Sequence, residues 1–199
     1  SLLISEQPND EETRSMAARV PYLNQEDLSD ENKDLLKRPI WLTRALVNSP
    51  DTARAFHVLG GHIRYGMKLD MRLRELAILQ VGWLARSPFE WSHHVKLGMD
   101  FGVSKEDIEG LIAETAGKPS NLGPLEKKIL LAAREMTENI EMPEALFKDL
   151  QAQLGNEQMV DLVVAIATYC AVVRILASLA IEVEPEYQPY LDMFPLPAD

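Results

Sequence analysis

The stretch MRLRELAILQVGWLARSPFEWSHH, residues 71–94, decides the fold class. Its first part follows Asp70, whose carboxylate suits a helix N-cap, and runs to Arg86 with no alternation of apolar and polar residues. Pro88 stands where a second helix would begin, because proline is tolerated in a first turn and breaks helix interiors. Two helices, over about 71–86 and 88–101, are therefore predicted.

Working outward, prolines mark off further helical intervals. Residues 51–66 carry Ala55, Phe56, Leu59 and Ile63 at helical spacing. Residues 104–115 place Ile108, Leu111 and Ile112 on one face, and 124–139 align Leu125, Ile129, Leu130, Ala133 and Met136. A short helix is predicted over 143–153 and a long one from about 156 to 182. No segment shows sustained period-2 alternation, so the fold is predicted to be all-α. The run Leu162–Ile181 is apolar apart from Thr168, Tyr169, Arg174 and Ser178. Arg174 midway, Asp161 at its start and the acidic residues after it argue against a membrane span and for a central bundle helix with alanines at close contacts.

The chain has 199 residues, 46% of them apolar, enough for one cored domain without a metal or disulfide staple. Its 31 acidic residues against 20 basic ones give a net charge of −11, which disfavours nucleic acid and anionic membranes as partners. A small anionic ligand is still open to it, since one Arg or His overrides the net field at short range. Cys170 is the one cysteine, so an internal disulfide, a Cys-x-x-Cys pair and a thiolate zinc cage are excluded. The first residues lack the pattern of a secretory signal, and a cytoplasmic location is expected. Residues 1–19 read as an acidic arm and 20–184 as the helical domain. Residues 185–199 read as a Pro-rich tail lying extended across a surface, a neighbouring subunit's included, to cover Tyr187, Tyr190, Leu191, Met193 and Phe194.

Reactive side chains are densest in Ser87-Pro88-Phe89-Glu90-Trp91-Ser92-His93-His94. On a helix starting at Pro88, Ser87, Glu90, His94 and Gly98 fall on one face, with Trp91 beside it. Glu90 and His94 are an i, i+4 pair, and a carboxylate beside an imidazole orients its tautomer and raises its basicity, as a general acid–base requires. Gly98 would leave open volume one turn on. Ser87-x-x-Glu90 also reads as a capping box, and His93 as a surface or interhelix hydrogen-bonding residue. Adjacent histidines diverge too far to grip one ion, and His57 and His62 lie roughly 140° apart on their helix, so no metal site is expected.

Arg74-Glu75-Leu76-Ala77-Ile78-Leu79, followed by Phe89-Glu90-Trp91-x-x-His94 and Gly98, resembles the carboxymuconolactone decarboxylase family of the alkyl hydroperoxidase D-like superfamily. Ala55-Phe56-x-x-Leu59-Gly60-Gly61-His62 upstream agrees with it, as does Asp161-Leu162-Val163 with Tyr169 and Arg174 downstream. The resemblance covers about residues 20–184. It implies a helical bundle assembled as a homotrimer or homohexamer. In the family's redox branch a Glu precedes a Cys-x-x-Cys pair and a His follows it. Here the flanking positions hold Glu75 and His94, whereas the cysteine positions hold Ser87 and Glu90, and dithiol peroxide reduction needs sulfur nucleophiles.

What the resemblance implies is a cofactor-free decarboxylase-like lyase acting on a small carboxylated lactone or related unsaturated acid. His94, Glu90 and Glu75 would be catalytic, with Trp91, Ser87, Arg174 and Tyr169 binding substrate. Glu75 also suits a helix first turn, where an acid complements the dipole. Arg174 on an apolar helix needs a carboxylate, either Asp161 or Glu75 or that of a substrate. Tyr169 and Cys170 also read as core residues. A non-decarboxylating lyase, isomerase or hydrolase, or a non-enzymatic oligomeric binding protein, are the alternatives.

Overall fold

The computed structural model describes residues 18–198, so all but the end of the acidic arm expected over 1–19 lies outside the described residues. Among them there are helices and turns and no strand. Two 3-10 segments, Gln25–Asp27 and Asp30–Leu36, lead into α1 (Trp41–Leu46) and α2 (Pro50–Tyr65). The bundle follows with α3 (Met71–Leu84), α4 (Pro88–Asp100), α5 (Lys105–Thr115) and α6 (Pro124–Asn139). A long α7 (Glu144–Leu179), a 3-10 turn (Pro185–Tyr187) and α8 (Gln188–Met193) complete it.

α3 is the hub. Its side chains from Leu73 to Gly82 are all buried, because α4, α6 and α7 pack around it. A helix apolar on every side belongs at a centre, and here that place goes to α3 rather than to the long C-terminal helix. The Asp70 side chain accepts the Leu73 N–H at 3.0 Å and fixes where α3 starts. α3 and α4 meet at Gly82, where a Cβ would stand at ordinary contact distance, 3.4 Å from the Trp91 nitrogen and 3.5 Å from Glu90 Cγ.

α7 breaks at Gly155, whose φ of 75° and ψ of 171° fall outside helical values, so the short and long helices expected here meet at that kink. Beyond it, Leu162, Ala165, Ile166 and Val173 face the core, while Ala167, Ala171, Arg174 and Ala177 are exposed. The segment is one-sided, and Arg174 escapes burial by standing on its solvent face. Asp161 has a different task from the one expected, accepting the Lys68 and Leu69 N–H groups at 2.7 and 3.1 Å. In α2, Ala53 and Ile63 are the buried positions and Ala55 and Leu59 are exposed, so the stripe expected there is rotated.

The C-terminal tail does not lie extended. It turns through Pro185–Tyr187 into α8 and folds back on α4 of its own chain, setting Tyr190, Leu191 and Phe194 against the cluster containing Trp91 and Val95. The polypeptide before α2 builds a smaller apolar cluster from Leu35, Leu36 and Val47 against Ala53 of α2. That cluster fixes the approach to α1 as one wall of a cavity lying between α1, α2, α4 and α7.

Candidate active site

Four charged side chains meet inside the bundle. Arg74, Glu75, Glu90 and His94 are exposed by only 1, 1, 2 and 5%. Ions so far from water persist only when paired, and these are paired in series. Arg74 donates to Glu75 Oε1 from Nη2 at 2.8 Å and from Nε at 3.1 Å. Its Nη1 donates to the carbonyls of Ile63 and Arg64 at 3.1 and 2.8 Å, where the end of α2 welcomes positive charge. Glu75 Oε2 lies 2.7 Å from His94 Nδ1, and His94 Nε2 lies 2.9 Å from Glu90 Oε1. Two cations thus balance two carboxylates along a line from α3 to α4.

The last contact differs from the others. Although Glu90 Oε1 is close to the imidazole, no donor is directed at it along a hydrogen-bonding line, and it is buried without a hydrogen-bond partner among the described residues. A buried acceptor left in that state is costly, and such atoms collect where chemistry is done. Burial pulls the His94 pKa down, but the charges of Glu75 and Glu90 outweigh it and hold the value up at about 10. Burial likewise pushes Glu75 up, and His94 with Arg74 more than reverses this, leaving it below the ordinary carboxylate value. At neutral pH His94 is an imidazolium between two carboxylates.

Glu90 and His94 reach a cavity of about 280 Å³, while Glu75 and Arg74 stand behind them. Its walls are largely apolar, with Ile40 and Leu42 on one side, Phe56 on α2, Phe89 on α4 and Val172 on α7. The volume lies near the lower end of small-molecule sites, which run from about 300 to about 1,000 Å³. Tyr169 also lines it, edge-on to His94 with ring centroids 4.8 Å apart. Burial and the two nearby carboxylates push its phenol well above its ordinary pKa, so it stays protonated.

The structure therefore brings Glu75, Glu90, His94 and Tyr169 together. Trp91, Ser87 and Arg174 are elsewhere. Trp91 points to the opposite side of α4, where Nε1 donates to the Phe194 carbonyl at 2.7 Å and the ring packs against Trp83. Ser87 precedes α4 without any side-chain capping bond, because its own N–H already donates to the Gly82 carbonyl and Glu90 turns inward. The capping box expected from Ser87-x-x-Glu90 is absent for that reason. Arg174 donates to the Cys170 carbonyl on the exposed face of α7 and does not line the cavity. Gly98 opens no volume into the site, since a Cβ there would meet Leu79 and Val103 at 3.4 Å.

Two residues that the sequence did not assign to the site matter here. Arg74 is the buried counter-charge of Glu75, and its signal was a charged pair inside an otherwise apolar helix. His93, read as a surface or interhelix hydrogen-bonding residue, does hydrogen-bond, but it is buried and sandwiched between Phe89 and Tyr187 at centroid distances of 3.9 and 3.5 Å. Its Nε2 lies 2.7 Å from Glu184 Oε2, and Glu184 Oε1 accepts the Trp41 N–H at 2.7 Å. Burial lowers the His93 pKa despite that carboxylate, so Nε2 carries the proton of a neutral ring and donates it to Glu184. Neighbouring histidines on one helix thus hold opposite charge states at neutral pH.

Residues 50–135 match the carboxymuconolactone decarboxylase family. Among solved structures, the chain is similar to an uncharacterised peroxidase-related protein with an alkylhydroperoxidase AhpD core from Ralstonia eutropha JMP134. The two share 17% identity over 88% of this chain and 95% of that one, with a TM-score of 0.72. A peroxidase-related protein from Silicibacter sp. TM1040 gives 17% identity, coverage of 86 and 93%, and a TM-score of 0.67. A protein of unknown function from Agrobacterium tumefaciens, linked by name to antioxidant defence and AhpD, gives 23%, coverage of 69 and 93%, and 0.60. No curated protein matches the chain. At these identities the solved structures establish the fold alone.

Proposed function

Because residues 50–135 match the carboxymuconolactone decarboxylase family and the fold is that of an AhpD-like core, we propose that the chain is a member of that family and that its cavity is an acid–base site of a cofactor-free, decarboxylase-like lyase. The substrate is a small carboxylated lactone or a related unsaturated acid. One observation carries the reading: Glu90 lines the cavity while its Oε1, buried behind the lining, lies within 2.9 Å of a protonated imidazole. A carboxylate so placed can take the imidazolium proton and pass it on, or accept one from a bound molecule.

In the decarboxylating direction the bond between the substrate carbon and its carboxylate breaks. The electron pair moves into the conjugated carbonyl as an enolate, and CO₂ leaves. The carbon then takes a proton drawn from His94 Nε2 through the Glu90 carboxyl group, and His94 recovers one from water, so each turnover consumes one proton. The high basicity of His94 retains that proton at neutral pH until a stronger base, the enolate, forms beside it. Glu75, fixed by Arg74, holds Nδ1 and keeps the ring aimed. Apolar walls disfavour a localised carboxylate more than a dispersed charge.

The dithiol route has no support, as Ser87 and Glu90 occupy the positions of the family's cysteine pair. The same Glu90 carboxylate acting as a base would serve isomerisation or ring cleavage without loss of CO₂. Self-association as a homotrimer or homohexamer belongs to this proposal, supported by the apolar side chains that α7 leaves exposed, Val160 at 61% among them. The test is a panel of carboxylated lactones and unsaturated acids assayed separately for CO₂ release and ring opening. Glu90→Gln and His94→Gln should lose about 10²–10⁴ of the rate while remaining folded, His94→Gln with reduced stability. Full turnover by either variant overturns the assignment.

A further inference from the structure

Most basic side chains of this acidic protein are engaged. Among the described arginines, Arg54, Arg72 and Arg74 pair with carboxylates, Arg134 donates to Gln80, and Arg19, Arg44 and Arg174 donate to backbone carbonyls. Arg38 and Arg64 have neither a carboxylate nor a hydrogen-bond partner among the described residues, and both line the cavity that contains Glu90 and His94. They come from different parts of the chain. Arg38 lies between the second 3-10 segment and α1, and Arg64 lies in the last turn of α2. Lys37, exposed beside Arg38, lines the same cavity.

The one carboxylate that shares this part of the wall, Asp34, is already bound by Arg54, with Nη1 at 3.0 Å and Nη2 at 3.3 Å from its two oxygens. Arg38 is solvent-exposed where it lines the cavity, which puts its guanidinium at the rim. Cations that neither pair nor hydrogen-bond, gathered at a cavity in a chain of net charge −11, form a local reversal of the field. Arginine is the side chain suited to holding a planar oxyanion through two donors.

We propose that Arg38 and Arg64 are specificity residues that bind an anionic group of the ligand at the rim, a carboxylate of a small organic acid, with its apolar body against Phe56 and Val172. The proposal rests on the reading of this cavity as the reaction site. It adds that the group held at the rim is not the one that reacts. A carboxylate clamped by guanidinium is stabilised against losing CO₂, so a decarboxylating group would have to lie toward Glu90 instead. Arg38 is outside residues 50–135, the part matching the family, so this end of the site is contributed by the chain's own N-terminal segment.

Binding tests this without turnover. The full chain is titrated calorimetrically with hexanoate and with hexanamide, which has the same shape and no charge. Hexanoate should bind at least about tenfold more tightly. Arg38→Ala and Arg64→Ala should each weaken hexanoate by about tenfold and leave hexanamide unchanged, while Arg38→Lys should retain most of the preference. Arg174→Ala, away from the cavity, should leave both affinities unchanged. Equal affinity for the two probes, no binding of either, or hexanoate binding indifferent to both alanine variants overturns the proposal. Circular dichroism confirms that each variant is folded. Glu90→Gln should keep the preference for hexanoate, so turnover by that variant would defeat the acid–base reading and leave the anion-binding rim standing.

Discussion

Glu75 Oε2 and His94 Nδ1 stand 2.7 Å apart, and that contact joins the buried Arg74–Glu75 pair of α3 to the cavity-facing side of α4. Its electrostatic consequence is a pH dependence of stability. The folded His94 pKa is about 10, above its ordinary 6.5, so its contribution is complete below about pH 6.5 and is lost as pH rises through about 10. Glu75 is shifted the other way, below its ordinary 4.5, so its contribution is present above that value and lost as pH falls. Thermal unfolding should show Tm declining from about pH 6.5 toward about 10, and Glu75→Gln should flatten the decline. A wild-type Tm constant over that interval would contradict the charge assignment.

A second carboxylate acts as a clasp. Glu184 is 2% exposed and holds both His93 and the Trp41 N–H, tying the C-terminal segment to α4 and α1. Glu184→Ala removes the acceptor from two donors and should cost about 2–4 kcal/mol in denaturant unfolding. Glu184→Gln keeps one acceptor and should cost less. Because the folded His93 pKa lies below its ordinary 6.5, its contribution is present above that pH and fades below it, so the wild type should weaken on the acid side as well. Equal stability of both variants and the wild type would remove the clasp.

Much of this was legible in the sequence. Prolines and helical spacing placed every helix from α2 to the kink at Gly155 within a few residues, because those signals are local. Glu75, Glu90 and His94 could be picked out from spacing and resemblance together. The failures have one physical origin: a helical wheel says which residues share a face, not which neighbour the face meets. Trp91 lies next to Glu90 in sequence and on the far side of α4 in space, since the tail folds back to cover it. Arg174 seemed to need a buried partner because its helix is apolar, yet it sits on an unburied face of the chain. The basic residues that do reach the cavity, Arg38 and Arg64, stand in segments where no periodicity marks them.

Trp91 gives a prediction that separates packing from chemistry. Trp91→Phe deletes the donor to the Phe194 carbonyl and leaves that oxygen without its partner, at a cost of about 1–3 kcal/mol. Limited proteolysis should then cut within 185–198 faster than in the wild type. Turnover on any substrate found should be within about twofold of the wild type, because the indole does not line the cavity. A large loss of rate with an intact tail would return Trp91 to the site. Ser87→Ala, at a cap position with no side-chain bond, should change stability by less than about 0.5 kcal/mol, where a working N-cap would cost about 1.

The separation of α3 and α4 sets where Glu90 stands, and Gly82 lies where the two helices meet. A methyl group at Gly82 would lie 3.4 Å from the Trp91 nitrogen and 3.5 Å from Glu90 Cγ, which is ordinary contact. Gly82→Ala should therefore be accommodated, and alanine's higher helix propensity, worth about 0.8–1.0 kcal/mol, should leave the variant as stable as the wild type or more so. Two further methyl groups have nowhere to go. Gly82→Val must push α4 outward at a cost of about 1–3 kcal/mol, carrying Glu90 away from His94 Nε2 and the cavity. The paired outcome is the test: Gly82→Ala keeps both stability and the His94 titration near pH 10, whereas Gly82→Val loses stability and shifts that titration downward. If valine leaves the imidazole unchanged, the position of Glu90 does not depend on how closely the two helices approach.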